Sequence, residues 1–428
     1  MSLIFANLRK HLNGHKNLTS GVDVLNLNTV NTVYIPLANA SSKAFDVLVE
    51  VGEKVKVGSN VGVRNDGLVV PVFSSVSGTV KEIKKMSHPL GMVDHVVIEN
   101  DHKYQREDLK GIDYINASKE ELVQFTMNKG IVGCGGAGFP AYVKYKSTEN
   151  IYKVVINAVE CEPYITADYK EAMLNIDYLI TGAKAMKKMA DADEVVIAIK
   201  NNKKDLKEKL EAAIDDSSIK VKEVPDQYPM GWERSLVRYL EKKEYDNLPA
   251  EIGIIVNNST TAIQLALAMD TGMPIVEKIV TVSGDAISTP QNIKVPVGTQ
   301  VNELLEAAGS STVEDVLCIL GGPMMGQTMK NGDYAIAPYS NAITVLKPQP
   351  VNTIACLRCG ACSDYCPAGL QPVRIAEAFR AKDFDELKKL RADKCIECGL
   401  CSFVCPSKIE VTQNVIIGKR IVNNLAKK

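Results

Sequence analysis

The sequence has no excess of charge of either sign. Lys and Arg total 50 against 51 Asp and Glu, a net charge of −1. Nucleic-acid binders usually carry a basic excess, so no nucleic-acid partner is expected. No apolar run approaches the ~20 residues that span a bilayer, which argues against a transmembrane segment. The opening MSLIFANLRKHLNGHKN has too short an apolar stretch for a secretory signal. These absences predict a cytoplasmic protein in a reducing compartment, where thiols stay available as metal ligands. At 46% hydrophobic and 24% charged, the remainder is ordinary globular material. A chain of 428 residues suggests roughly two to four domains.

What is present is cysteine in a strict pattern. Cys356, Cys359, Cys362 and Cys366 precede Pro367, and Cys395, Cys398, Cys401 and Cys405 precede Pro406. Each run reads C-x2-C-x2-C-x3-C-P, the spacing of bacterial two-cluster ferredoxins. Three thiolates two residues apart can reach three corners of a cubane from one tight loop. In two-cluster ferredoxins the fourth Cys of each run serves the other cluster. Cys356, Cys359, Cys362 and Cys405 are therefore assigned to one [4Fe–4S] cluster. Cys395, Cys398, Cys401 and Cys366 are assigned to the other. Zinc also binds C-x2-C pairs but needs only two of them. Disulfides suit small secreted domains, and nothing here reads as secreted.

Four regions are predicted, at 1–105, 106–272, 273–345 and 350–428. In the first, short apolar runs alternate with glycines at 52, 58 and 78, fitting a small β domain. Its pattern resembles the lipoyl/biotinyl barrel-sandwich fold. The position of the modified lysine reads Arg64-Asn65-Asp66-Gly67-Leu68, so no swinging arm is expected. The second region alternates strand-length apolar runs, KVVINAVE and EVVIAIK, with charged helical stretches. That argues for a Rossmann-like α/β core with a parallel sheet. The third returns to β patterning around one short helix and resembles a β-grasp (SLBB-like) module. It includes GGPMMG at 321–326, read as packing and a turn. The fourth carries helical periodicity between its cysteine runs, predicting a helical two-cluster domain.

Two further motifs carry chemistry. Gly130, Gly133, Gly135, Gly136 and Gly138 fall within nine residues, followed by Phe139 and Pro140. Each glycine costs backbone entropy. The return is a loop whose backbone can approach a flat ring or a phosphate. Lys144 could reach a phosphate as a point charge. After the apolar run KVVI come Asn157, Glu160, Glu162 and Asp168. Acidic side chains at a strand's C-terminal end sit where α/β folds bind ligands. A solvated acidic loop is the plainer alternative. Cys134 lies inside the glycine loop, where amide dipoles could favour a reactive, low-pKa redox thiolate. It could equally be a small buried residue fitted to a tight turn. Cys161 and Cys318 read as structural.

Taken together, G-x-x-G-x-G-G-A-G-F-P, N-x-x-E-C-E-P-Y-I-T-A-D, Y-P-x-G-x-E and the doubled cysteine run resemble the RnfC-like family over roughly residues 30 to 410. The first two motifs are also similar to the NADH-binding subunit of respiratory complex I. Within the family the chain looks most like the PrdC type, associated with proline reductase. The resemblance implies FMN near Gly133, Gly135, Gly136, Gly138, Phe139 and Lys144. It implies that Asn157, Glu160, Glu162 and Asp168 contact flavin or NADH, with Glu160 and Glu162 in the catalytic role. Of an adjacent Glu pair in complex I only Glu233 is carried over, since Trp232 takes the other place. Asn257, Asn258 and Thr261 correspond to a flavin-phosphate turn. Val159 stands where complex I has an aspartate.

NADH gives two electrons as hydride and iron–sulfur clusters accept one, so a flavin is the expected converter. The expectation is an NADH-oxidising reductase feeding a protein acceptor such as proline reductase. A peripheral subunit of a membrane Rnf-type ion-pumping complex is the alternative, and a flavin-free electron wire a third. The lack of a long Ala/Lys-rich tail favours the first of these. Whether the protein forms a homo-oligomer is left open.

Overall fold

In a computed structural model, residues 10–146 and 148–425 are described; the apolar stretch at 3–6 lies outside them. The N-terminal region contributes β1 (Leu25–Asn26), β2 (Thr32–Pro36), β3 (Phe45–Val47), β4 (Lys54–Val55), β5 (Asn60–Arg64), β6 (Pro71–Phe73), β7 (Gly78–His88) and β8 (Gly91–Asn100). Seven of these form two antiparallel sheets, β2-β8-β7-β4 and β3-β5-β6. Alternating valines and isoleucines, among them Val33, Ile35, Val61, Val80, Val96 and Ile98, fill the core these strands share. The β7–β8 hairpin turns at Pro89 and Leu90, between the paired residues His88 and Gly91.

β1 departs from the expected boundaries. It pairs in parallel with a strand nearly 270 residues downstream, Leu25 opposite Ile293 and Asn26 opposite Lys294.

The α/β region begins with α1 (Lys119–Asn128) and α2 (Val143–Lys146). It continues through β9 (Lys153–Ala158), α3 (Ala167–Leu174), α4 (Ile176–Ala190), β10 (Glu194–Lys200), α5 (Lys204–Ala213), β11 (Ile219–Val224), α6 (Glu233–Glu241), β12 (Ile254–Asn258) and α7 (Ser259–Thr271). The strands run parallel in the order β11-β10-β9-β12. β10 is buried along nearly its whole length, as parallel strands covered on both faces require. Ile180, Ala183, Ala262 and Ile263 of α4 and α7 pack on one face. Leu236 and Val237 of α6 pack on the other. The chain steps outward from β9 to β11 and then returns to β12 on the far side of β9. The crevice at the C-terminal ends of β9 and β12 is thus the switch point of the sheet, where open α/β sheets bind ligands.

Downstream lie β13 (Glu277–Ser283), β14 (Gln291–Pro296), α8 (Val301–Ala307), β15 (Leu317–Leu320), β16 (Gln327–Thr328) and β17 (Ala342–Leu346). With β1 they form a mixed sheet, β1-β14-β13-β17-β15-β16. The last region is helical: α9 (Ala361–Asp364), α10 (Pro372–Arg380), α11 (Phe384–Lys389), α12 (Leu400–Phe403) and α13 (Val411–Leu425). Its core is Ile375, Leu387, Val411 and Val415. Pro372 opens α10, where a missing amide hydrogen costs nothing.

Candidate functional site

A cavity of about 590 Å³ opens at the switch point. Its walls come from every region except the helical one. Pro89 and Leu90 reach in from the β7–β8 hairpin, and Gly135 and Gly136 from the glycine loop. Asn157, Glu160, Glu162 and Asp168 follow β9, and Trp232 and Glu233 open α6. Gly321, Gly322, Met325 and Gly326 come from the loop between β15 and β16, and Tyr339 and Ser340 precede β17. Among the described residues no lysine or arginine lines it.

The acidic residues are held individually. Asn157 donates through Nδ2 to the Gly231 carbonyl at 2.8 Å and accepts the Val159 amide at 3.0 Å. Glu160 accepts the Asp168 amide at 3.0 Å and pairs with Lys16 at 3.4 Å. Lys16 also donates to the carbonyls of Glu160 and Ile165. Burial pushes the Glu160 carboxyl up and the Lys16 ammonium down, while their attraction opposes both shifts. Burial likewise raises Glu162 to about 7, against the pull of the Met324 amide and the Tyr228 hydroxyl. Asp168 is 7% exposed and accepts from Asn258 Nδ2 and Thr260 Oγ1, each at 2.7 Å. Asn258 caps α7 by accepting the Thr261 amide at 3.3 Å.

Several expected contacts lie behind the cavity wall rather than in it. Lys144 donates to the Val256 carbonyl, so its ammonium is occupied at the end of β12. Asn257 is buried and donates to the Tyr145 hydroxyl at 2.6 Å. Thr261 accepts the Cys134 amide at 2.9 Å. Gly133, Gly138 and Phe139 shape the loop but do not line the cavity. Gly138 has φ +58°, and an added Cβ would strike the Tyr339 ring at 2.9 Å.

Cys134 corrects the expectation of a reactive thiolate. It is fully buried, its thiol points to the Val132 carbonyl at 3.4 Å, and burial pushes its pKa up. The desolvation of a sealed core outweighs the amide dipoles invoked from sequence. Cys134 fits the packing alternative.

Three features escaped the sequence reading. Lys16 carries no local motif. Trp232, noted there only as a missing glutamate, is the sole tryptophan and forms cavity wall. The 321–326 loop, read as packing, lines the cavity and also reaches the cysteine region. Met324 donates its amide to Glu162 at 3.2 Å, and an added Cβ on Gly399 would meet the Met324 carbonyl at 2.7 Å.

The cysteines fall into two sets. Cys366, Cys395, Cys398 and Cys401 face one small cavity of about 20 Å³, walled by Leu370, Ile396, Leu400 and Val415. The fourth Cys of the first run thus stands with three of the second. Backbone amides of Leu370 and Glu397 point at the sulfurs of Cys366 and Cys395 at 3.4 and 3.3 Å. Thr412 Oγ1 is 3.1 Å from Cys401. Four thiols with amide donors in an apolar shell fit a [4Fe–4S] cluster. For the other set, Ser407 donates to the Ala355 carbonyl at 3.0 Å, and the Ile354 amide donates to Ser407 at 3.2 Å. These bonds draw the turn after Cys405 against the segment before Cys356.

Comparison with known proteins follows this geometry. Residues 10–103 match the RnfC barrel sandwich hybrid domain and 127–267 the Nuo51 FMN-binding domain. Residues 279–328 match the SLBB domain and 355–410 the 4Fe-4S dicluster domain. The chain is 32% identical over 356 residues to the RnfC-type subunit of the proton-translocating ferredoxin:NAD(+) oxidoreductase complex of Clostridium ljungdahlii, covering 80% of this chain and 78% of that one. It is 33% identical over 374 residues to the equivalent subunit of the Na(+)-translocating complex of Acetobacterium woodii, covering 83% and 82%. In Vibrio cholerae the equivalent protein of the ion-translocating oxidoreductase complex is 31% identical over 388 residues; the match spans 88% of this chain and half of that protein. The crystal structure of an NAD+-reducing [NiFe]-hydrogenase in the air-oxidized state shares the fold, with TM-score 0.52 and 16% identity over 72% of this chain and 67% of that one. These relatives are named for ion-translocating complexes, and they lend no support to proline reductase as acceptor. Among the described residues no helix is long and apolar enough to cross a membrane. The chain belongs to the RnfC-like family, whose members include these proteins of ion-translocating ferredoxin:NAD(+) oxidoreductase complexes.

Proposed function

We propose that this protein is the peripheral NADH-side electron-transfer subunit of an ion-translocating ferredoxin:NAD(+) oxidoreductase, with FMN in the switch-point cavity and [4Fe–4S] clusters on the two cysteine sets. The observation that carries this reading is contact between the cavity and one cysteine set. The 321–326 loop and Tyr228 touch both. FMN, when bound, supplies the exchange between two-electron and one-electron carriers. The residues of the chain supply geometry. Gly135 and Gly136 present bare backbone to a flat ring, and Trp232 offers an aromatic wall. The amino end of α7 offers amides and a favourable dipole to a phosphate. Glu160 and Glu233 are placed to accept from ribose hydroxyls, and the Lys16 pair holds Glu160 in one orientation.

Trp232 makes the reading testable directly. Anaerobic NADH titration of the holoprotein should quench its emission and bleach flavin and cluster absorbance together. Quenching without bleaching would reject electron transfer from NADH, and the absence of both would reject the cavity as the nucleotide site. Copurification with membrane subunits, lost on high-salt washing, would mark the peripheral docking; recovery with proline reductase would overturn it.

A further inference from the structure

One buried hydroxyl has no part in that account. Tyr228 is 2% exposed, and its phenol sits between two acceptors. It donates to the Cys398 carbonyl at 2.8 Å and lies 3.3 Å from Glu162 Oε1. A phenol has one proton to donate, so it fully serves only one acceptor at a time. The other Glu162 oxygen accepts the Met324 amide. Leu12, Met324, Ile396 and Leu400 pack around the junction and keep it dry. A single hydroxyl therefore links a carboxyl that lines the cavity to the backbone of one inner cysteine.

We propose that Tyr228 is a positioning residue that sets the reduction potential of the inner cluster through the Cys398 carbonyl, and that Glu162 competes for the same proton. The proposal rests on reading the inner cysteine set as a [4Fe–4S] site, and not on NADH as the reductant. Reduction adds one negative charge to a cluster. A hydrogen bond that draws electron density from a ligand's own peptide group stabilises the reduced form, and does so more strongly where water is excluded. Removing that bond lowers the potential. Relieving the competition at Glu162 raises it.

The test is an anaerobic dithionite titration of the holoprotein, followed by electron paramagnetic resonance. Tyr228→Phe should lower one of the two cluster potentials by the equivalent of about tenfold in reduced-to-oxidised ratio, ~59 mV for a one-electron couple, and leave the other in place. Glu162→Gln should raise the same potential. No shift in Tyr228→Phe, or equal shifts of both clusters, would overturn the proposal, as would a wild-type protein with one potential only. Should Tyr228→Phe fail to retain iron, Glu162→Gln decides: an unmoved potential overturns the idea. Dithionite reduces the clusters whether or not NADH does. A protein inert to NADH would therefore end the proposed function and leave this result standing.

Discussion

The two cysteine runs share a spacing and a backbone but not an environment. Gly360 and Gly399 both sit in the left-handed region, φ 80° and 76°, at the start of α9 and α12. After Gly399 comes Leu400, 2% exposed and packed on the 321–326 loop. After Gly360 comes Ala361, with nothing comparable to bury. Cys398 is 8% exposed, whereas Cys356 and Cys359 are exposed, beside Ile354 at 54% and Leu357 at 61%. The motif dictates where the sulfurs point, and the neighbours dictate which set faces the protein and which faces outward. That difference orders the two sets: one against the cavity, one where another protein can come near.

The largest test of this order is Cys366→Ala. It should cost the inner cluster, leaving about four irons where about eight are expected, while the outer signal persists. Loss of the outer signal instead would reverse the assignment of the fourth ligands. Cys405→Ala should do the opposite: NADH would still reduce the inner cluster, but electrons would no longer reach a protein acceptor. Persistence of acceptor reduction would show that electrons leave from the inner end.

Smaller effects probe the cavity end. Lys16→Met leaves the Glu160 carboxyl buried without its partner, at about 3 kcal/mol by denaturant unfolding. An unchanged midpoint would remove the pair from the scaffold. The Glu162 carboxyl is raised from 4.5 to about 7, so the folded protein holds a proton that the unfolded chain releases. Its contribution favours folding below about 4.5 and is lost as pH rises to about 7. Glu162→Gln should flatten that part of a plot of Tm against pH. The least effect is expected at Cys134. Cys134→Ala should cost about 1 kcal/mol of packing and leave reduction of both a dye and the protein acceptor intact. Selective loss of the acceptor reaction would restore the thiol's redox role.

Much of this architecture was readable from residue order. β9 and β10 are continuous apolar runs because parallel strands are buried on both faces, and Asn157, Glu160 and Glu162 follow β9 where such sheets bind ligands. The doubled cysteine spacing is local, so its helical setting could be read as well. What stayed hidden depends on remote partners. Lys16 meets Glu160 across 144 residues and Tyr228 meets Cys398 across 170, and no short-range pattern encodes either. Lys144 lies at a plausible distance from the glycine loop in sequence, but the open carbonyl of Val256 claims it. Cys134 was misjudged because amide dipoles are legible in a glycine loop and burial is not.

The short strand at Leu25–Asn26 bears on how the protein is made. Its partner Ile293 leaves the ribosome long after it, and Thr19 likewise waits for Asn292, whose amide donates to its carbonyl at 3.2 Å. At about 5–20 residues per second, that delay is tens of seconds. During translation the first two dozen residues therefore have no native place to rest. A ribosome stalled before codon 290 should display them to proteases, and one stalled past codon 350 should not.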